Sequence, residues 1–346
     1  MTPLAPAAPV IDVHAHILTE DMMARMRREA PEIGPTLSEV DEEGGVLKVG
    51  DIVQRPFPRG GWDLDRRLAD LDHAGFDLQV LSNCPQTFLY EREAALTGAL
   101  CQIQNEAIAD LARRHPTRFL GIATLPMQDP ARAADELRRA VTKLGLKGAQ
   151  IGSHIEGKNL DDPALEPVWA TAEELGAFIL IHPQKTAAAN RTNEFYLKNL
   201  IGNPLETTIA AASLVFGGVL ERYPDLKICL VHGGGFLPFQ TGRMIHGWKE
   251  RPECRRFISE SPEVSIRRLY FDTLTHFGPA LRYLTDTFGA DHVLLGSDYP
   301  FDMGTLEGAR QVRAAGLSKA DETAILGSTA AGWFGLDAQT RKAVNA

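Results

Sequence analysis

The chain has 346 residues, 44% of them hydrophobic and 23% charged, with a net charge of −9. That mix is ordinary for a globular protein able to bury a large core, and α/β barrels of this length are commonly one domain. The acidic balance excludes a broad attraction to nucleic acid or to an anionic membrane, so an anionic small molecule would need a local cluster of arginines.

The start, Met1-Thr2-Pro3-Leu4-Ala5-Pro6, lacks the basic and apolar regions of a signal peptide. No stretch approaches the roughly 20 apolar residues of a spanning helix, so the expected location is cytoplasmic and reducing. Cys84, Cys101, Cys229 and Cys254 show no C-x-x-C spacing, and Cys229 reads as a small core residue.

The first strand-like run, residues 10–13, leads into His14-Ala15-His16. Residues 17–63 are too long for a barrel loop and hold Pro31, Gly34-Pro35, Gly44-Gly45, Pro56, Pro58 and Gly60-Gly61. They read as an insertion beside the active site, where functional loops belong. A helix is expected over 64–73, with leucines at 64, 68 and 71, before the second run at 78–81. A long amphipathic helix over 91–114 ends in Arg113-Arg114-His115-Pro116.

The third run spans 119–125. A helix over 131–144 follows, with Asp129 as its N-cap, Pro130 in the first turn and Gly145 past its end. The fourth run, 149–151, precedes a helix over 163–175 that stops at Gly176, and the fifth, 178–181, ends at His182. Residues 184–203 form a second insertion, and a helix over 205–221 stops at Tyr223-Pro224. Runs six to eight are 228–231, ending at His232, then 269–272, then 293–295, leading into Asp298. Helix is expected onward to about Phe334, with a polar tail at 335–346.

Nearly continuous apolar runs suit parallel strands covered on both faces. Eight of them alternating with helices predict a single-domain (β/α)8 TIM barrel with an insertion after strand one. The metal-binding residue types gather where the runs stop, at the barrel face that carries active sites.

Residues i and i+2 of a strand face the same side, so His14 and His16 can offer two imidazoles to one ion. His182 and Asp298 could complete the set, since zinc accepts imidazole nitrogens and carboxylate oxygens at about 2.0–2.2 Å and keeps a position for water. His232, followed by Gly233-Gly234-Gly235, is a fifth ligand or an unligated acid/base. Strand four ends Gln150-Ile151-Gly152-Ser153 with no lysine at its mouth, Lys147 lying at the opposite end, which points to one ion rather than two. Zn²⁺ is the expected metal, and a mixed nitrogen and oxygen set also suits Mn²⁺. Neither a G-x-G-x-x-G after a strand nor a P-loop is present.

Ile11-Asp12-Val13-His14-Ala15-His16, Gln150-Ile151-Gly152-Ser153-His154, His182-Pro183, His232-Gly233-Gly234-Gly235 and Gly296-Ser297-Asp298-Tyr299-Pro300-Phe301 resemble the decarboxylase branch of the amidohydrolase superfamily. The similarity runs from about residue 10 to 335 and includes Thr124-Leu125-Pro126-Met127-Gln128 and Pro204-Leu205-Glu206-Thr207-Thr208. It implies His14, His16, His182 and Asp298 as metal ligands and His232 as the catalytic histidine. It further implies Arg55 and Arg243 as arginines for substrate carboxylates, with Arg243 reaching the neighbouring subunit's site in a homodimer or higher homo-oligomer. Taken alone, both would be solvated surface arginines. One departure stands out: Gln184-Lys185-Thr186-Ala187 follows His182-Pro183 where a member of the branch has an aromatic–acidic segment.

The activity implied is a metal-dependent, non-oxidative decarboxylation of an unsaturated, aromatic or heteroaromatic carboxylic acid, with His232 and Asp298 handling the proton. The rivals are a zinc-dependent hydrolase of a lactone or amide, which could share the ligands, and a catalytically silent metal-stabilised scaffold.

Overall fold

The structure, a computed structural model, describes residues 8–336. The signal-peptide reading at residues 1–6 and the tail from 337 onward lie outside the described residues. The fold is mixed α/β. Strand β1 (Ile11–Ile17) is wholly buried and runs into α1 (Glu20–Glu29), capped by the Thr19 hydroxyl accepting from the Met22 N–H at 3.3 Å. Strands β2 (Thr36–Ser38), β3 (Gly44–Val49) and β4 (Ile52–Pro58) form a separate antiparallel sheet. Much of the stretch over 17–63 is therefore ordered by its own strand pairing.

Helix α2 (Leu64–Ala74) is capped by Asp63 and ends at Gly75, whose φ of +69° only glycine adopts without strain. Then come β5 (Leu78–Asn83), α3 (Ala94–Arg114), β6 (Phe119–Gly121) and β7 (Ala123–Thr124). Helix α3 starts three residues later than expected, because the Glu93 carboxylate caps it by accepting from the Leu96 N–H at 2.9 Å. Helix α4 (Pro130–Thr142) has the expected Asp129 cap. It is followed by β8 (Gly148–Gly152), the small hairpin β9 (His154–Ile155) and β10 (Lys158–Asn159), α5 (Glu166–Glu174) and β11 (Phe178–His182).

The helix expected over 205–221 is two helices, α6 (Asn203–Phe216) and α7 (Val219–Arg222). Gly217 and Gly218 break it, Gly218 turning left-handed at φ +71°. Beyond lie β12 (Lys227–Leu230), α8 (Leu237–Glu250), α9 (Pro262–Ile266), β13 (Tyr270–Asp272), α10 (Gly278–Phe288) and β14 (Val293–Leu294). The chain then continues through α11 (Gly308–Ala314), α12 (Lys319–Thr323) and α13 (Thr329–Trp333).

All eight apolar runs form strands, and all their pairings are parallel. They lie in two sheets, ordered β1-β5-β6 and β14-β13-β12-β11-β8-β7. The third run is split at Ile122, its first half pairing with β5 and its second with β8. Backbone bonds cross both gaps between the sheets. Ile122 donates to the Leu81 carbonyl at 2.9 Å, and Val13 and His16 donate to the Leu295 and Tyr299 carbonyls at 2.8 and 2.7 Å.

Along β11, Phe178 and Leu180 join a smaller apolar cluster with Cys229, Leu294 and Phe334, while Ile179 and Ile181 join the large cluster under the helices. This division is the period-two alternation of a strand buried on both faces. Among the described residues no helix is long and apolar enough to cross a membrane.

Candidate metal centre

Histidines 14 and 16 sit where β1 shifts register against β5, between Asp12 and Ala15. Each ring is held from behind. His14 Nδ1 lies 2.7 Å from Asp272 Oδ2, and His16 Nδ1 lies 2.9 Å from the Asn83 carbonyl. Both partners are acceptors, so each Nδ1 carries the hydrogen and each Nε2 is turned forward. The two Nε2 atoms are 3.2 Å apart.

Asp298 faces them. Its Oδ1 is 3.2 Å from His14 Nε2, 3.0 Å from His16 Nε2 and 3.8 Å from His182 Nε2, and its Oδ2 is 3.4 Å from His232 Nε2. Asp298 and His232 both have φ of +56°, a backbone region costly for residues other than glycine. Asp298 is locked there by its N–H donating to the His14 carbonyl at 2.8 Å. His182, at the end of β11, donates Nδ1–H to the Pro183 carbonyl at 2.9 Å, and its buried Nε2 has no hydrogen-bond partner.

The donor set fits a divalent cation. One donor atom from each of His14, His182, His232 and Asp298 lies within 4.8 Å of the others, and His16 Nε2 borders the group, 3.2 Å from His14 Nε2 and 3.0 Å from Asp298 Oδ1. The charges agree. Burial drives His16 down and His182 to about 3, keeping both neutral, as metal ligands must be. Burial also opposes ionisation of Asp298, but His14, His16 and His182 outweigh it and hold the carboxyl well below its usual range. His14 resists charging through burial, yet Asp298 and then Asp272 lift it to about 10.

Beneath the cluster, fully buried Asp12 accepts from the Ser297 hydroxyl at 2.5 Å, Gln79 Nε2 at 2.8 Å and the Ser297 N–H at 3.0 Å. Buried Arg67 donates to Gln79 Oε1 at 2.5 Å and to the His16 carbonyl, with Tyr299 stacked 4.8 Å from its guanidinium. Sequence reasoning missed Asp272, Asp12, Asn83 and Arg67. An aspartate closing the apolar run at 269–272 was the available signal for the first.

A cavity of about 630 Å³ opens beside His232, walled mainly by apolar groups including Pro204, Phe236, Leu274 and Phe277. The N-terminal end of α6 braces both flanking loops. Glu206 accepts from the Ala187 N–H and from the Ser153 hydroxyl at 3.3 Å. Thr208 Oγ1 accepts from the Phe236 N–H at 2.8 Å and donates to the Pro204 carbonyl at 2.7 Å.

Gly235 permits that close approach. Its φ is +63°, and a Cβ there would sit 2.2 Å from the Pro204 carbonyl oxygen. Gly235→Ala is expected to lower stability by at least ~1–3 kcal/mol, read as a shift in the denaturant midpoint.

The two sequence-implied arginines are placed differently. Arg55 lies on β4, 61% exposed, paired with Glu39 at 2.7 Å. Arg243 is exposed on α8. Among the described residues, no contact joins either one to the histidine cluster.

Comparison with known proteins matches residues 11–336 to the Amidohydrolase family. The chain is 36% identical over 341 residues to 2-amino-3-carboxymuconate-6-semialdehyde decarboxylase of Dictyostelium discoideum, covering 94% of this chain and 92% of that one. The structure of 5-carboxyvanillate decarboxylase from Sphingomonas paucimobilis superposes with a TM-score of 0.83 at 25% identity, covering 96% of this chain and all (100%) of the other. A dihydroxybenzoic acid decarboxylase from Polaromonas sp. JS666, solved with manganese and 2-nitroresorcinol, shares the fold at TM-score 0.78 and 23% identity, covering 95% and 97%.

Proposed function

Because this chain belongs to the amidohydrolase family, we propose that it is a metal-dependent, non-oxidative decarboxylase of an unsaturated, aromatic or heteroaromatic carboxylic acid. The observation that carries this is a buried cluster in which donor atoms of His14, His182, His232 and Asp298 lie together, with His16 Nε2 3.0 Å from Asp298 Oδ1 and an apolar cavity opening beside His232. The 36% identity to a 2-amino-3-carboxymuconate-6-semialdehyde decarboxylase favours it over lactone or amide hydrolysis. The chain is read as one domain, a closed eight-stranded barrel, a reading supported by the backbone bonds from β1 to Leu295 and Tyr299. Residues 17–63 are an insertion in it. The expected location is cytoplasmic.

His14, His16, His182 and Asp298 would hold the ion, zinc or manganese. When bound, it supplies a Lewis acid that orients an ortho substituent and lowers the pKa of water. A carboxylate on an sp² carbon leaves poorly until that carbon is protonated. His232 Nε2 moves the proton to Asp298 Oδ2, 3.4 Å away, and Asp298 shuttles it onto the carbon bearing the carboxylate. The C–C bond then breaks, its electron pair returns to the π-system and CO₂ departs. The apolar cavity wall suits a flat, conjugated ring, and the cavity is large enough for a small acid.

Arg55 and Arg243 hold substrate carboxylates by forked hydrogen bonds, Arg243 reaching across a homodimer. Its exposure on α8 is compatible with that role. Arg55→Ala and Arg243→Ala proteins are each expected to lose activity, and co-refolded mixtures to regain a fraction of it. No recovery after confirmed subunit exchange would remove the shared site.

The function is tested by measuring metal content together with CO₂ release from a panel of ortho-hydroxy and ortho-amino carboxylic acids. Stoichiometric metal and CO₂ evolution are expected. A ring-opened acid without CO₂ would transfer the assignment to the hydrolase.

A further inference from the structure

We infer that Asp272 is a positioning residue whose single carboxylate fixes both the metal-accepting tautomer of His14 and the turn that presents His232. The inference rests on the metal reading of the site and extends it to a residue at the end of β13 that touches no substrate.

The geometry is fully buried and two-sided. Asp272 Oδ2 lies 2.7 Å from His14 Nδ1, and Oδ1 accepts from the Gly233 N–H at 2.7 Å and the Leu274 N–H at 3.1 Å. An ionised carboxylate only accepts, so His14 Nδ1 must hold a hydrogen and Nε2 is left to face Asp298. The other oxygen grips the residue immediately after His232, within a turn where Val231 gives way to left-handed backbone at His232, Gly233 and Gly234. Space at the junction is set by Gly296. A Cβ there would lie 2.8 Å from Asp272 Cβ and 3.1 Å from His14 Cβ. Strand β1, strand β13 and the segment after β14 are thus pressed together around one carboxylate. Outer partners of ligating histidines set tautomer and ring orientation, and losing one typically weakens metal binding by ~10–100-fold.

Asp272→Asn keeps the shape and can still accept from Gly233, while its amide NH₂ turned toward His14 forces Nδ1 to become the acceptor. The hydrogen then moves to Nε2, where it blocks the ion. Zinc affinity of D272N, measured by chelator competition, is expected to fall ~10–100-fold, with the apoprotein's melting temperature near wild type. A merely structural residue would move the melting temperature and leave the affinity of the folded fraction alone. Wild-type affinity in folded D272N overturns the inference.

A second measurement needs no variant. Imidazole ¹H–¹⁵N correlation spectra of the zinc-loaded wild type are expected to show a protected His14 Nδ1–H, and a His14 ligated through Nδ1 would equally overturn it. If the wild type itself takes up no metal, the reading of the whole site fails, an outcome distinct from a D272N that binds normally.

Discussion

Asp298→Ala is expected to abolish turnover and to strip the metal, lowering its affinity by more than the ~10–100-fold that a lost outer partner costs. Among the described residues the carboxylate alone faces all four imidazoles, with Nε2 atoms at 3.0 to 3.8 Å from its oxygens. Without it, a cation would meet a pocket of neutral, buried rings, two of them kept uncharged by burial. The substitution would also leave His14 without the partner that contributes most to raising its pKa. Elemental analysis of purified protein checks the result. Retained stoichiometric metal would remove Asp298 from the ligand set and leave it an outer or structural partner.

His232→Ala should separate binding from chemistry. Metal content is expected to stay near wild type while the rate falls at least ~10²-fold, the range for a lost general acid or base. His232 stands on the cavity side of Asp298, 15% exposed, with a buried Nδ1 that has no hydrogen-bond partner. It also lines the open cavity, where a group that must exchange protons can reach solvent. Single-turnover rates alongside metal analysis give the split. Loss of metal together with activity would make His232 a fifth ligand.

Much of this was legible in the chain because apolar continuity and strand ends are local properties. The runs at 78–81 and 178–181 became β5 and β11 almost to the residue, and the Asp129-Pro130 signal placed α4 within two residues. The division of the third run at Ile122 was not legible, since it depends on which neighbour each half pairs with. Nor was the β2–β4 sheet, whose longer strands carry Gly44, Gly45, Pro56 and Pro58, residues that read as loop signals.

At the site, residues with a chemical signature were found and those with a supporting one were not. His14 and Asp298 announce themselves by type and position. Asp272 and Asp12 matter through partners 258 and 285 residues away, which no spacing rule reaches. Arg55 and Arg243 came from resemblance alone, and within the single chain they remain at the surface.

The brace formed by the start of α6 bears on any attempt to redirect selectivity. Glu206 and Thr208 tie the segment after His182 and the cavity-lining segment after His232 to the same helical end, so the two segments are not independent design variables. Libraries that diversify Gln184 to Ala187 while keeping Glu206 would vary the first segment on a fixed hinge post. Libraries that alter Glu206 would free the Ala187 and Ser153 contacts at once, and their hits would combine non-additively with changes at either residue.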